Sequence, residues 1–301
     1  MPINTSSIQA LLRPGLADVF GDYPQWPSQW TEIFERHTSD MAIEIDVEVK
    51  LLGLAQIKAE GASISYDSMG QRYVTNYYHR NVGIGFIITK NAMRDNLYKA
   101  QFPLQAKALK NSMMQTKETL GAAVLNNGFD TNFPIGDGQP VFSLSHPIDG
   151  GVVANTFTVQ ADLNETALED AINGIQRFRD QAGLKCNIKQ KKLIVPTELQ
   201  WTANRLLNSQ FRTDTANNDI SAIYNVQAVP QGYKVNLYLT DTSSWFVMTD
   251  ADAGFKYYQR DPLETDVYQD FDTSNLKAKA EERYSFGVSN FRGAWGSQGA
   301  S

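Results

Sequence analysis

The sequence predicts an α+β protein of elongated outline: an arm, a long β-hairpin, one long helix, a compact mixed portion and closing strands. Three observations carry this. Apolar and polar residues alternate with a period of two at 43–51 and again at 82–88. Apolar residues recur at spacings of three and four from 90 to 126. Helical and strand patterns then succeed one another between 159 and 254.

Residues 1–42 form the arm. Pro14, Pro24 and Pro27 interrupt it beside Trp26 and Trp30, so short turns and extended chain are expected and no core of its own. In the next stretch Ile43, Ile45, Val47, Val49 and Leu51 alternate with Glu44, Asp46, Glu48 and Lys50, the pattern of a strand with one apolar and one charged face. A turn signal follows at Asp67-Ser68-Met69-Gly70, and alternation returns at Val82, Ile84, Phe86 and Ile88. Together, 43–88 read as one two-stranded hairpin whose arms would reach about 60 Å. Neither its charged face nor its tip has an obvious partner in one chain, and two strands alone are marginal in water.

Thr89 can cap the following helix. Met93, Leu97, Ala100 and Leu104, then Leu109, Met113, Thr116, Leu120 and Ala123, place one stripe along 90–126, with a stop at Asn126-Asn127-Gly128. Pro103 should kink or split it. Such a helix spans about 55 Å, whereas a compact chain of this size has a radius of gyration near ~19 Å, hence the elongated outline.

Residues 129–158 read as loop with short strands. In the mixed portion, Leu168, Ile172 and Ile175 share a helix capped near Asn164 and stopped at Gly183. Leu193-Ile194-Val195 is a buried strand, and Pro196 opens a helix with Leu199, Ala203, Leu206 and Leu207. Trp245-Phe246-Val247-Met248 is another strand, and the tail alternates at Leu276, Ala278 and Ala280, then Tyr284, Phe286 and Val288. Residues 159–254 should hold enough core to fold as a unit.

The search for chemistry assigns no catalytic, cofactor-binding or metal-ligating residue. His37, His79 and His146 are scattered without zinc spacing. Ser145-His146 precedes Pro147 with Asp149 near, but adjacent residues do not face each other as a triad must, and a turn is the better reading. Gly83-Ile84-Gly85 sits in a strand pattern and lacks the third glycine of a dinucleotide loop. Asp250-Ala251-Asp252 has Gly254 one position early for a calcium loop. Lys185, Lys189, Lys191 and Lys192 read as a solvated edge, and Tyr77, Tyr78, Tyr257 and Tyr258 as packing residues. The net charge of −6 argues against a nucleic-acid grip over the whole surface. Cys186 stands alone, so no internal disulfide is possible. No secretory leader or bilayer-length apolar run is recognisable, and the sequons at Asn4 and Asn164 read as chance matches.

The order of parts resembles the HK97-type capsid fold of tailed phages, and four motifs resemble the major head subunit of Mu-like phages. They are Gly136-Asp137-Gly138-Gln139-Pro140-Val141-Phe142-Ser143 with His146-Pro147 and Gly150-Gly151; Leu193-Ile194-Val195-Pro196 leading into Leu199, Ala203, Leu206 and Leu207; Trp245-Phe246-Val247; and Arg283-Tyr284-Ser285-Phe286-Gly287-Val288 with Phe291-Arg292-Gly293 and Trp295-Gly296. The first 130 residues match in layout more than in letters.

The resemblance implies an N-terminal arm at 1–42, an extended E-loop hairpin at 43–88, a peripheral domain with its spine helix at 89–158, an axial domain at 159–254 and a return to the peripheral domain at 255–301. It implies a structural protein and not an enzyme, assembling with copies of itself as pentamers and hexamers into an icosahedral head around double-stranded DNA. The hairpin residues expected at contacts between subunits are Glu44, Asp46, Glu48, Lys50, Asp67, Met69, Gly70 and Arg72. Expected partners are a separate scaffold protein, because the arm starts almost at Met1, together with a portal and a decoration or cement protein. No membrane and no cofactor is expected, and the place of action is the virion, assembled in the bacterial cytoplasm. Some relatives cross-link Lys to Asn; Lys50 and Lys58 lie in the hairpin, but no acceptor Asn can be assigned, so cross-links are not expected. The rival readings are an encapsulin-type compartment and an enzyme with a dispersed active site.

Overall fold

The computed structural model describes residues 27–94, 98–211 and 220–300, with the backbone alone at 93–94 and 98–104. After a 3₁₀ turn at Trp30–Glu32 come strands β1 (Glu35–Thr38), β2 (Ile43–Lys50), β3 (Gly70–Tyr78) and β4 (Arg80–Ile88). Helices α1 (Lys90–Arg94) and α2 (Tyr98–Asn126) follow, then the short pair β5 (His146–Ile148) and β6 (Gly151–Val153). The mixed portion holds α3 (Glu165–Gln176), β7 (Gln190–Val195), α4 (Gln200–Asn208), α5 (Ala222–Asn225), β8 (Tyr233–Val235) and β9 (Trp245–Thr249). β10 (Phe255–Gln269), β11 (Leu276–Val288) and β12 (Ala294–Ser297) close the chain.

Two four-stranded sheets organise the molecule, ordered β1-β10-β11-β4 and β12-β9-β7-β8. Helix α2 lies on the first. Ala106 packs with Ile88, Val267, Leu276 and Ala278, and Leu109 and Met113 pack on Ala280. Leu125 meets Val141, Phe142 and Phe246, which tie the helix to the second sheet. A polar seam runs between. The Lys117 ammonium lies 2.5 Å from the Glu282 carboxylate and over the Tyr284 ring, while burial pushes the Glu282 carboxyl up. The Glu118 carboxylate accepts the backbone N–H groups of Gln29 and Trp30, both at 2.9 Å, and so fixes the chain entering the described region.

The helix expected over 90–126 is present as α1 and α2, with Thr89 Oγ1 accepting the Ala92 N–H at 3.3 Å as its cap; residues 95–97 lie outside the described region, as do the side chains of Met93, Leu97, Ala100 and Leu104. Helical backbone runs through Pro103. The stop falls at Asn126, where Gly128 leaves room for Phe142: a Cβ there would lie 2.7 Å from its ring. In the arm, residues 1–26, with Pro14, Pro24 and Trp26, lie outside the described region.

Three expectations are corrected. Strands 43–51 and 82–88 do not pair with each other. β2 pairs antiparallel with β3, Ile43 opposite Tyr78 and Lys50 opposite Gly70, while β4 joins β11 in the first sheet. Alternation marks a strand but carries no information about its partner. The turn sits at Ala59–Ala62, with Gly61 at φ +77°, and Asp67-Ser68-Met69 runs into β3. Helix α3 is capped as expected, Asn164 Oδ1 accepting the Ala167 N–H at 2.8 Å, but it ends at Gln176, not Gly183. Gly183 closes a separate turn on Asp180 at φ +80°, a conformation that would strain any side chain.

The mixed portion also borrows from the tail. β12 pairs with β9, and Phe291 and Trp295 join Leu168, Ile175, Phe178, Leu193 and Trp245 in one core. Trp295 presses so closely on α3 that a Cβ at Gly174 would lie 2.4 Å from its ring. The fragment 159–254 lacks this wall. We expect it to show a broad, non-cooperative thermal transition, where the full chain unfolds sharply. A sharp transition from the fragment would show that β12 is dispensable to this core.

Candidate functional site

The β2–β3 hairpin carries the expected contact residues, and the structure decides which way each points. Glu44, Asp46, Glu48 and Lys50 face their own subunit. Glu44 accepts a hydrogen bond from Ser39 Oγ at 2.5 Å, Asp46 pairs with Lys256, Glu48 with Arg292 at 2.8 Å, and Lys50 with Asp149 at 2.6 Å. From β3, Arg72 reaches Asp149 at 3.1 Å. The expectation that this charged row has no partner in one chain is therefore corrected: its partners come from segments as far as 244 residues away, which no local pattern announces.

The electrostatics reinforce this latch. Burial opposes ionisation of Asp46, but the Lys256 ammonium and a hydrogen bond from Ser289 together outweigh it and hold the carboxyl below its usual range. Lys50 does the same for Asp149. Arg292 is buried and also donates from Nε to the Arg179 carbonyl at 2.6 Å, so it joins the hairpin, the 179–184 turn and the end of β11.

The opposite face is apolar and open. Ile43, Ile45, Val47, Val49 and Leu51 are all exposed, Ile45 at 62%, beside Tyr78 from β3. The normal arrangement of an amphipathic strand is reversed, because charged groups can turn inward where opposite charges meet them. Residues 51–69 continue as an exposed loop. Asp67 pins its base, accepting the N–H groups of Gly53 and Ser68, both at 2.8 Å, which depress its pKa. Met69 and Gly70 are exposed at the start of β3.

A second cluster lies beneath the Gly136–Ser143 motif. His146 is fully buried, stacked on Phe291 at 3.9 Å, with Nδ1 2.6 Å from Asp137 Oδ2 and Nε2 3.1 Å from Asn155 Oδ1. Asn155 Oδ1 also accepts the Ser143 N–H, and its Nδ2 donates to the carbonyls of Val141 and Phe291. The Asn155 oxygen is thus an acceptor. Nε2 must carry a proton, and another lies between Nδ1 and Asp137. The reading of His146 as a turn residue is corrected to a buried anchor. Both ring nitrogens are engaged, neither by Ser145, whose Oγ donates to Gln139 at 3.3 Å, so no triad forms.

The remaining sequence features have structural explanations. Lys192 is buried against Glu32 at 2.8 Å and does not stand on a solvated edge. Asp250 accepts the Lys189 N–H. Gly85 lets β11 approach, since a Cβ there would lie 2.7 Å from the Ala278 carbonyl oxygen. Tyr77 and Tyr257 are core residues, and burial raises the Cys186 thiol pKa. Among the described residues there is no cluster fit to hold a metal, and no helix long and apolar enough to cross a membrane. Sequence reading missed Lys256 and Asn155 altogether, and Asp149 it noticed only beside Ser145-His146, not as a partner of the hairpin. Arg292 it noticed only within Phe291-Arg292-Gly293.

Comparison with known proteins places this architecture. A family model described as phage capsid protein matches residues 79–296. No curated protein matches the chain in sequence. The fold is similar to the capsid of bacteriophage JBD30 decorated with minor capsid protein trimers, with a TM-score of 0.57, 13% identity, and coverage of 79% of this chain and 100% of that one. It is similar to a chain of Mycobacterium phage Che8 (0.54, 14%, 90% and 92%). It is also similar to the virus-like particle from Pyrococcus furiosus (0.54, 11%, 95% and 97%). At these identities the likeness is one of fold, the HK97-like capsid fold, while the sequence match spans most of the chain. The chain belongs to the phage capsid protein family, as a structural protein of a capsid shell.

Proposed function

We propose that this chain is the major head subunit of a Mu-like tailed phage, closing as pentamers and hexamers into an icosahedral shell around double-stranded DNA. The observation that carries the reading is the family match joined to the two-sided hairpin, which is latched to its own subunit by charge and presents an apolar row outward. Residues 1–42 serve as arm, 43–88 as E-loop, 89–158 as peripheral domain, 159–254 as axial domain and 255–301 as the return, whose last strand completes the axial sheet. Among the hairpin residues, Met69, Gly70 and Asp67 meet the neighbouring subunit directly, while Glu44, Asp46, Glu48, Lys50 and Arg72 hold the hairpin in position for that contact. Heterologous contacts of this kind close into rings, and a shell multiplies individually weak contacts. The partners are copies of this chain, a separate scaffold, a portal and a decoration protein; DNA is contained without being read, and assembly takes place in the host cytoplasm.

Negative-stain microscopy of the full chain is the test. Rings or closed shells of uniform diameter are the expected result, and a monomer that persists at all concentrations overturns the proposal. Particles from the host should hold nuclease-protected double-stranded DNA. A protein cargo in its place would make this a compartment shell similar in purpose to an encapsulin.

A further inference from the structure

A cleft of about 350 Å³ opens where β3 of the hairpin, the last turns of α2 and the end of β11 meet, with part of the 133–141 segment in its wall. Its volume lies at the small end of the range for small-molecule sites, about 300–1,000 Å³. Leu120 and Val124 from the helix, Ile135 from the loop and Phe286 from the strand line it. All four pack against the core around Leu125 and Phe246, yet each stays only partly buried. Phe133, also in the wall, is 55% exposed. Protein interiors leave few voids larger than a water molecule, and apolar walls gain from whatever keeps water off them.

Among the residues lining the cleft one carries a charge, Arg80 at the start of β4, and none is a carboxylate. The Arg80 guanidinium makes no hydrogen bond or ion pair to a described residue. The hairpin cations Lys50 and Arg72, by contrast, both meet Asp149. Tyr284 lines the cleft too. It is 1% exposed, and its hydroxyl has no hydrogen-bond partner among the described residues. Buried polar groups are nearly always satisfied, so this hydroxyl is one to be accounted for. An apolar cleft with one unpaired cation and one spare hydroxyl complements an apolar body that carries a single anionic head.

We propose that this cleft binds a small amphiphilic anion, an alkyl or aryl carboxylate of medium length, with its apolar body between α2 and β11 and its carboxylate on the Arg80 guanidinium. Such a ligand touches β3, α2 and β11 at once. It fastens the base of the hairpin to the helix and the sheet, and it stabilises the folded chain by mass action.

Isothermal titration of the full chain with decanoate, kept below its micelle concentration, tests it. One saturable site per chain is expected, with a higher thermal midpoint at saturation. Arg80→Gln, at an exposed position, should weaken decanoate roughly tenfold or more, the worth of one charge-assisted hydrogen bond, and leave binding of the neutral decanol unchanged. Ala123→Met adds a side chain to the helical wall of the cleft, at a half-buried position where Met keeps the helix, and should weaken both ligands alike. A parent chain with no saturable site, or Arg80→Gln that binds decanoate as tightly as the parent, overturns the proposal. So does a site present in free subunits and lost in assembled particles, which would give the cleft to a second copy of this chain.

Discussion

Replacing His146 by Ala should leave the protein unfolded or insoluble at 37 °C (about body temperature, a demanding condition for a chain of marginal stability). Three losses add. The substitution leaves the Asp137 carboxylate buried without its partner, removes a donor from Asn155 Oδ1, and opens a void against the Phe291 ring. Each buried group left unpaired costs about 1–3 kcal/mol, and the void adds to it, so a total of about 3–5 kcal/mol is expected. A typical domain has about 5–15 kcal/mol in all. Urea unfolding of whatever soluble variant is recovered gives the number. Asn155→Ala should cost as much, because Asn155 holds Ser143, Val141 and Phe291 with one side chain. A His146→Ala protein as stable as the parent would show that this network is ornamental and that the Gly136–Ser143 segment is held by other contacts.

The second large effect is on the hairpin. Arg292→Met should cost about 3–5 kcal/mol, because it strands the Glu48 carboxylate and the Arg179 carbonyl where one buried cation served both. The consequence is local as well as global. In the free parent subunit trypsin should cut first at Lys58, in the exposed loop, and spare Arg72, which β3 holds half-buried against Asp149. In Arg292→Met or Asp149→Asn, Arg72 should become a fast site too. Cleavage at Arg72 as rapid in the parent as in these variants would mean that the hairpin is not latched. In purified heads Lys58 should be protected, since its loop is then covered.

Acid should loosen the same latch. Asp46 and Asp149 have folded-state pKa values below the usual 3.8. Depressed carboxylate values mean stabilisation that is complete above the unfolded value and is lost as pH falls below it towards the folded one. Hydrogen-exchange protection of 43–50 and 70–78 should hold from neutrality down to about pH 4 and fall below it, ahead of protection in α2. Uniform loss along the chain would place the acid sensitivity elsewhere.

Much of this architecture was legible because it is local. Alternation located β2, β4 and β11; the three-and-four spacing located α2 as far as its stop; Asn164 and Thr89 announced themselves as caps; and four short motifs pointed to the capsid family that the sequence match over 79–296 bears out. What is local in cause was readable: a residue's φ/ψ preference, a side chain capping an N–H three residues on, a period of two or of 3.6. What the tertiary structure alone decided was pairing and sidedness. β2 found β3 and not β4, because strand periodicity is the same whichever partner satisfies it. Its charged row turned inward, because Lys256, Arg292 and Asp149 wait there from 99 to 244 residues away and offset a burial that the sequence, read locally, counts as prohibitive. His146 became an anchor for the same reason: Asp137, Asn155 and Phe291 enclose it, and only folding brings the last of them, 145 residues on, to its face.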